Sequence, residues 1–152
     1  MNEIQIRKIQ LEAAKEEIRC CNELNHLHGL NLTEADITEL VELRGHALRQ
    51  TGRIEFGGGV LPKLIRSFSK SPYVDTYNYA ATLGDLQDAF YYFKNESGDL
   101  FSDDELIEFM ERVFNGQAHG SAEVLTTISL EELCRWARNG FDASFADEEA
   151  FW

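Results

Sequence analysis

Apolar residues recur along most of this chain with the spacing of an α-helix. The clearest stripe consists of five large side chains that follow one another at intervals of three or four residues: Tyr79, Leu83, Leu86, Phe90 and Phe93. This spacing places all five on one face of a helix and predicts that the face is buried. Similar stripes predict five main helices near residues 5–28, 34–51, 77–97, 103–115 and 130–139, and shorter ones at 61–69 and 121–127.

Capping sequences mark the ends of these predicted helices. Thr33, Ser102 and Ser129 are each followed three residues later by an acid, the pattern of a capping box that satisfies the first free backbone N–H groups. Glycines follow the periodic segments where a left-handed residue commonly ends a helix: Gly29, Gly52, Gly98, Gly116 and Gly140.

Little of the sequence is suited to β-structure. Only residues 53–56 and 124–128 are candidates for extended segments, which is too little for a sheet of any size. The chain of 152 residues is long enough for one core and contains no repeat or interdomain linker. The sequence therefore predicts a single all-α domain over residues 1–152. It has a glycine-rich connection at 52–60, and residues 1–5 and 141–152 are candidate tails.

Charge divides the chain into three unequal parts. The protein has a net charge of −13 at pH 7, yet residues 44–70 carry six Lys/Arg against one acid. We call residues 44–70 the basic segment. Residues 1–43 and 71–152 have net charges of −5 and −13. Such separation is unusual, because mixed charges are the common solution for solubility.

The basic segment contains a candidate ligand site. Its three consecutive glycines allow the backbone to approach a ligand closely, and they lead into a short helix with Pro62 in its first turn. A glycine-rich connection at a helix N-terminus can hold an anion. The candidate residues for binding a phosphate or carboxylate are Arg53, Gly57, Gly58, Gly59, Lys63 and Arg66.

Internal pairing is the competing interpretation of the basic segment. In so acidic a chain, its cations can pair with carboxylates of the same molecule. Arg44 favours this interpretation, because it lies on the apolar stripe of the helix predicted at 34–51. Its stem is expected to pack against the core while its guanidinium meets a carboxylate.

Two other clusters have the composition of a metal site without the spacing. If Gly98 takes the invariant glycine position of a calcium loop, Phe93 falls at the first ligand position, so a capped turn is expected instead. Adjacent cysteines on a helix point about 100° apart and do not readily share one tetrahedral metal. This argues against a site formed by the remaining cluster, Cys20, Cys21, His26 and His28, and no metal is predicted.

Composition and motifs exclude several classes of function. No run approaches the roughly 20 apolar residues of a membrane span, and the N-terminus lacks the apolar centre of a secretory signal. Three cysteines cannot all pair within the chain, which favours a reducing cytoplasm. The acidic balance argues against general nucleic-acid binding. No nucleophile motif, phosphate loop or dinucleotide fingerprint is present, so no catalytic residue or cofactor is predicted and an enzyme is disfavoured.

The chain resembles an uncharacterised family of short bacterial proteins of unknown function in the stretches TGRIEFGGGVLPKLIRSFSKSPY, FYYFKNESGDLFSDDELIEFM and FNGQAHGS. The resemblance covers roughly residues 20–138. It implies a cytoplasmic bacterial protein and brings no activity, cofactor or catalytic residue. The expected function is a non-catalytic interaction or regulatory module that binds another protein or itself. The alternative is a protein or enzyme that binds a small anion through residues 44–70.

Overall fold

The computed structural model describes residues 2–25, 29–55 and 59–139 of the chain. These ranges contain six α-helices and no β-strand, so the all-α fold is confirmed. The helices are α1 (Glu3–Asn25), α2 (Glu34–Thr51), α3 (Leu61–Phe68), α4 (Tyr79–Glu96), α5 (Asp103–Asn115) and α6 (Ala122–Asn139).

Two of the three predicted capping boxes are present. The Thr33 hydroxyl accepts a hydrogen bond from the Asp36 backbone N–H (3.0 Å), and the Asp36 carboxylate accepts one from the Thr33 N–H (2.9 Å). Ser102 and Glu105 form the same reciprocal pair at the start of α5. These contacts satisfy backbone donors that the first helical turn leaves free.

The third predicted capping box is wrong, because Ser129 lies inside a continuous helix. The segments predicted separately at 121–127 and 130–139 together form α6, and residues 124–128, a candidate extended segment, are helical. The helix begins after Ser121, whose hydroxyl accepts from the Val124 N–H (3.1 Å). Thr126 and Thr127 fit into it by donating their hydroxyls to carbonyls four residues earlier.

The predicted left-handed glycine caps are confirmed at most of the described positions and wrong at one. Gly29, Gly52 and Gly98 have positive φ, whereas Gly116 after α5 has φ −104°. The left-handed residues of that connection come later, at His119 and Gly120. The predicted Gly140 cap lies outside the described residues.

Helix α4 lies at the centre of the bundle and packs against α2, α3, α5 and α6. The stripe predicted on this helix is confirmed, since all five of its side chains are buried. Aromatic rings join α4 to its neighbours edge to face, as in Phe93 on Phe109, with centroids 6.5 Å apart. Phe68 of α3 meets Phe114 of α5 in the same way at 5.3 Å.

Helices α1 and α2 run antiparallel. The end of α1 is tied to the start of α2 by Arg19, whose Nε donates to the Glu34 carboxylate (3.0 Å), and by buried Asn22, which bonds the Leu32 backbone twice. The hydrogen bond from Arg19 lowers the pKa of Glu34. The start of α1 therefore lies beside the end of α2. None of the described helices is long and apolar enough to cross a membrane.

Candidate interaction site

A buried polar cluster, Arg44–Glu55–Tyr91, joins the end of α2 to α4. Arg44 is 7% exposed, and its Nε lies 3.3 Å from Glu55 Oε1, which confirms the predicted inward orientation and carboxylate partner. The Tyr91 hydroxyl donates to the same oxygen at 2.6 Å. Burial, followed by the hydrogen bond to Glu55, raises the pKa of Tyr91, so the phenol remains a donor. The Glu55 carboxylate therefore pairs with Arg44 and also accepts a hydrogen bond from Tyr91.

Gly59 closes over this cluster. Its φ is +63°, and a Cβ added there would overlap Glu55 Oε1 and lie 2.8 Å from Arg44 Nε. Glycine is therefore favoured here for two reasons: the backbone is left-handed, and it lies too close to the Arg44–Glu55 pair for a side chain to fit. The Nη2 atom of Arg44 is buried and has no hydrogen-bond partner among the described residues.

Arg53 and Lys63, two of the predicted anion-binding residues, meet carboxylates of the same chain. Arg53 Nη2 lies 2.7 Å from Asp99, and its Nε donates to the Asn95 side chain at 2.8 Å. Lys63 Nζ lies 2.9 Å from Asp104. Both cations therefore contact the acidic connection between α4 and α5 or the first turn that follows it.

The other predicted residues are placed differently. Arg66 is exposed, lies near Cys21 of α1, and has no ion pair within the described ranges. Gly57 and Gly58 lie outside the described residues. Gly59 lies against Arg44 and Glu55 instead. Of the described basic segment, only Arg44 and Gly59 lie around Glu55, which sequence reasoning had counted only as the segment's single acid.

The acidic connection at 95–105 forms the capped turn that was expected. Gly98 and Asp99 both have positive φ, and Lys94 Nζ lies 2.9 Å from Asp103 and 2.6 Å from the Phe101 carbonyl. Arg53 also pairs with Asp99, so the carboxylates of Asp99 and Asp103 both contact cations of the same chain.

A groove of about 540 Å³ opens between the start of α1 and the end of α2. The segment that follows α2 forms its third side. The lining includes four aliphatic side chains and two guanidinium groups: Leu11, Val41, Leu48, Ile54, Arg44 and Arg49. The groove is therefore largely apolar, and its charged lining consists of these two guanidinium groups and the carboxylate of Glu55, which pairs with Arg44.

Exposed aliphatic side chains concentrate at the same end of the molecule. Five of the six exposed large aliphatic residues in the described ranges are Ile4, Ile6, Ile9, Leu11 and Ile54. We call Ile4, Ile6 and Ile9 the aliphatic end of α1; they are 66%, 43% and 57% exposed.

Sequence reasoning placed this helix but missed its uncovered apolar surface. A signal was available, because Ile4 and Leu11 continue the spacing of the buried residues Ala14, Ile18 and Cys21.

The remaining clusters show no comparable convergence. A cleft of about 360 Å³ beside α4 is lined by Asp85, Asp88 and Glu123, and burial, then Asp85, raises the pKa of Asp88. Cys21 is buried and Cys20 exposed, and burial raises the pKa of Cys21. His26, His28 and the side chain of Cys134 lie outside the description. Over the described residues, no three His, Cys, Asp or Glu side chains are placed to hold a metal.

Comparison with known proteins gives one match. No curated protein sequence and no solved structure matches the chain. A family model, described as a family of unknown function (DUF6323), matches residues 17–143. That region includes the buried cluster and most of the groove, whereas the aliphatic end of α1 precedes it. The resemblance to a family of unknown function is therefore confirmed, and the chain belongs to this family.

Proposed function

We propose that the protein is a non-catalytic interaction module that self-associates through the aliphatic end of α1. One observation carries the proposal: the exposed aliphatic residues gather at one end of a protein whose other described apolar side chains are largely buried. Ile6 and Ile9 lie three residues apart and share one side of α1, where a second helix can pack along them.

Local charge opposes the approach of a second copy less at this end of α1 than elsewhere on the protein. Two molecules with net charges of −13 repel each other over most of their surfaces. The stretch 3–11 carries two cations, Arg7 and Lys8, against one acid, Glu3. Contact between two copies therefore meets less repulsion here than over the acidic remainder. A two-fold axis would bury the same side chains on both partners.

Light scattering coupled to size exclusion tests the self-association. We expect a concentration-dependent dimer in the wild type, and Ile9→Glu should raise its dissociation constant by about tenfold or more because an unpaired charge would be buried. Leu100→Glu is the matched control, since Leu100 is 53% exposed but lies before α5. A wild type that stays monomeric at all concentrations, or equal loss in both variants, contradicts the proposal.

Binding of a small anion at Arg53, Gly57, Gly58, Gly59, Lys63 and Arg66 is the less favoured alternative. The pairs that Arg53 and Lys63 make with Asp99 and Asp104 reduce the charge available to a ligand. A thermal-shift screen with phosphate, nucleotides and organic acids separates the alternatives. A stabilising anion whose effect is lost in Arg53→Ala and Arg66→Ala would support ligand binding.

The proposed setting is a bacterial cytoplasm. The exposed thiol of Cys20 fits a reducing compartment, where surface cysteines stay unpaired. We propose that the protein binds no cofactor, does not contact a membrane and does not bind nucleic acid generally. The last point follows from its acidic net charge.

A further inference from the structure

We propose that the groove between α1 and α2 binds residues 141–152 of the same chain. This inference does not depend on self-association, because its evidence comes from the groove and from the composition of that segment.

The groove offers an apolar surface with available positive charge. Arg49 is exposed and has no ion pair within the described part of the chain, in contrast to Arg53 and Lys63. Arg44 lines the same groove but is buried and paired with Glu55, which also lines it, so Arg49 supplies the accessible positive charge. Aliphatic walls at Leu11, Leu48 and Ile54 surround these groups. The expected occupant is therefore both acidic and rich in large apolar side chains.

Residues 141–152 have this composition. The segment contains four acids and no Lys or Arg, together with three phenylalanines and a tryptophan: Phe141, Phe145, Phe151 and Trp152. Much of the protein surface repels it, since residues 71–139 carry four Lys/Arg against thirteen acids. Its carboxylates find opposite charge at the basic segment, and its rings find apolar walls at the groove. A volume of about 540 Å³ accommodates several side chains.

The extended length of the segment that follows α6 is comparable to the diameter of the protein. Thirteen residues follow Asn139, and a chain of that length spans up to about 43 Å when extended. A compact body of 152 residues has a radius of gyration of about 15 Å and a diameter of about 38 Å. Attachment to the same chain also gives the segment a high effective concentration near the groove, which favours its own tail over a separate peptide.

Fluorine NMR on the full-length protein labelled with 5-fluorotryptophan tests the contact. The chain has two tryptophans, Trp136 in α6 and Trp152 in the segment, and Trp152→Phe assigns the signals. We expect the wild-type Trp152 signal to lie away from its position in denaturant. Arg49→Glu should lower the ratio of docked to free segment by about tenfold and move the signal toward that position. An unchanged Trp136 signal would report an intact fold.

Two further variants separate specific docking from general charge attraction. Arg66→Glu makes the same charge change outside the groove and should leave the Trp152 signal in place. Ile54→Asp changes an 84% exposed wall residue and should release the segment without harming the core. Ile9→Glu, which targets self-association, should also leave the signal unchanged, so each proposal can fail alone.

Three outcomes would overturn the proposal. One is a wild-type Trp152 signal already at its denatured position. Another is equal release in Arg66→Glu and Arg49→Glu, which would make the effect nonspecific. The third is a docked signal that depends on protein concentration, which would place the segment on a second molecule.

Discussion

The basic segment contains two kinds of cation: those that pair with a carboxylate of the same chain, and exposed ones that have no such pair within the described residues. Arg44, Arg53 and Lys63 each meet a carboxylate of the same chain. Arg49, Arg66 and Lys70 are exposed and make no ion pair within the described ranges. Charge concentrated in sequence is therefore divided in space. Three of the six cations are paired with carboxylates, and the other three lie exposed at the surface.

Replacing Arg44 should produce the largest difference between the two groups. Arg44→Ala leaves Glu55 without its cation and opens space in the core, so we expect a loss of about 3–5 kcal/mol in the free energy of unfolding. Arg66→Ala should change it by less than about 0.5 kcal/mol, since Arg66 is exposed and unpaired in the described region. Urea denaturation measures both. Equal effects would mean that the buried pair has no special role.

Two glycine variants test how closely the backbone closes over Arg44. Gly59→Ala combines the cost of a left-handed alanine, about 1–2 kcal/mol, with displacement of Glu55 and Arg44. Gly52→Ala has a similar φ, +69°, but no atom within 4 Å of the added carbon, so it reports the backbone cost alone. We expect Gly59→Ala to lower the free energy of unfolding by at least about 1 kcal/mol more than Gly52→Ala. Equal losses would show that Gly59 is required only for its backbone conformation.

The helices and the inward orientation of Arg44 could be predicted because both follow from periodicity. A residue on the apolar stripe of a helix is usually buried, whichever neighbouring element covers it. Glu55 could not be identified in this way, since it lies outside a helix and its partner Tyr91 is 36 residues away. Periodicity also does not predict which part of an apolar side is exposed. It predicted an apolar side of α1, but not that the neighbouring helices leave its first turns uncovered.

The prediction for α6 failed for a different reason. The sequence predicts two helices here, at 121–127 and 130–139, and the second has a capping box at Ser129. The structure begins one continuous helix after Ser121, and the threonines before Ser129 donate their hydroxyls to the helix backbone. The local sequence pattern predicted a separate helix start at each end of residues 121–130, whereas the packing of α6 on α4 and α5 favours one continuous helix.

The smallest expected effect concerns Arg53, which is paired yet close to the surface. Its contact with Asp99 is short at 2.7 Å, but Asp99 is 58% exposed, so solvent screens the attraction. A double-mutant cycle with Arg53→Ala and Asp99→Ala should give a coupling of about 0.2–1 kcal/mol, well below the cost of Arg44→Ala, and one that weakens in high salt. The same cycle with Arg66→Ala in place of Arg53→Ala should give no coupling. A salt-independent coupling above that range would show that solvent does not screen the Arg53–Asp99 pair, contrary to this prediction.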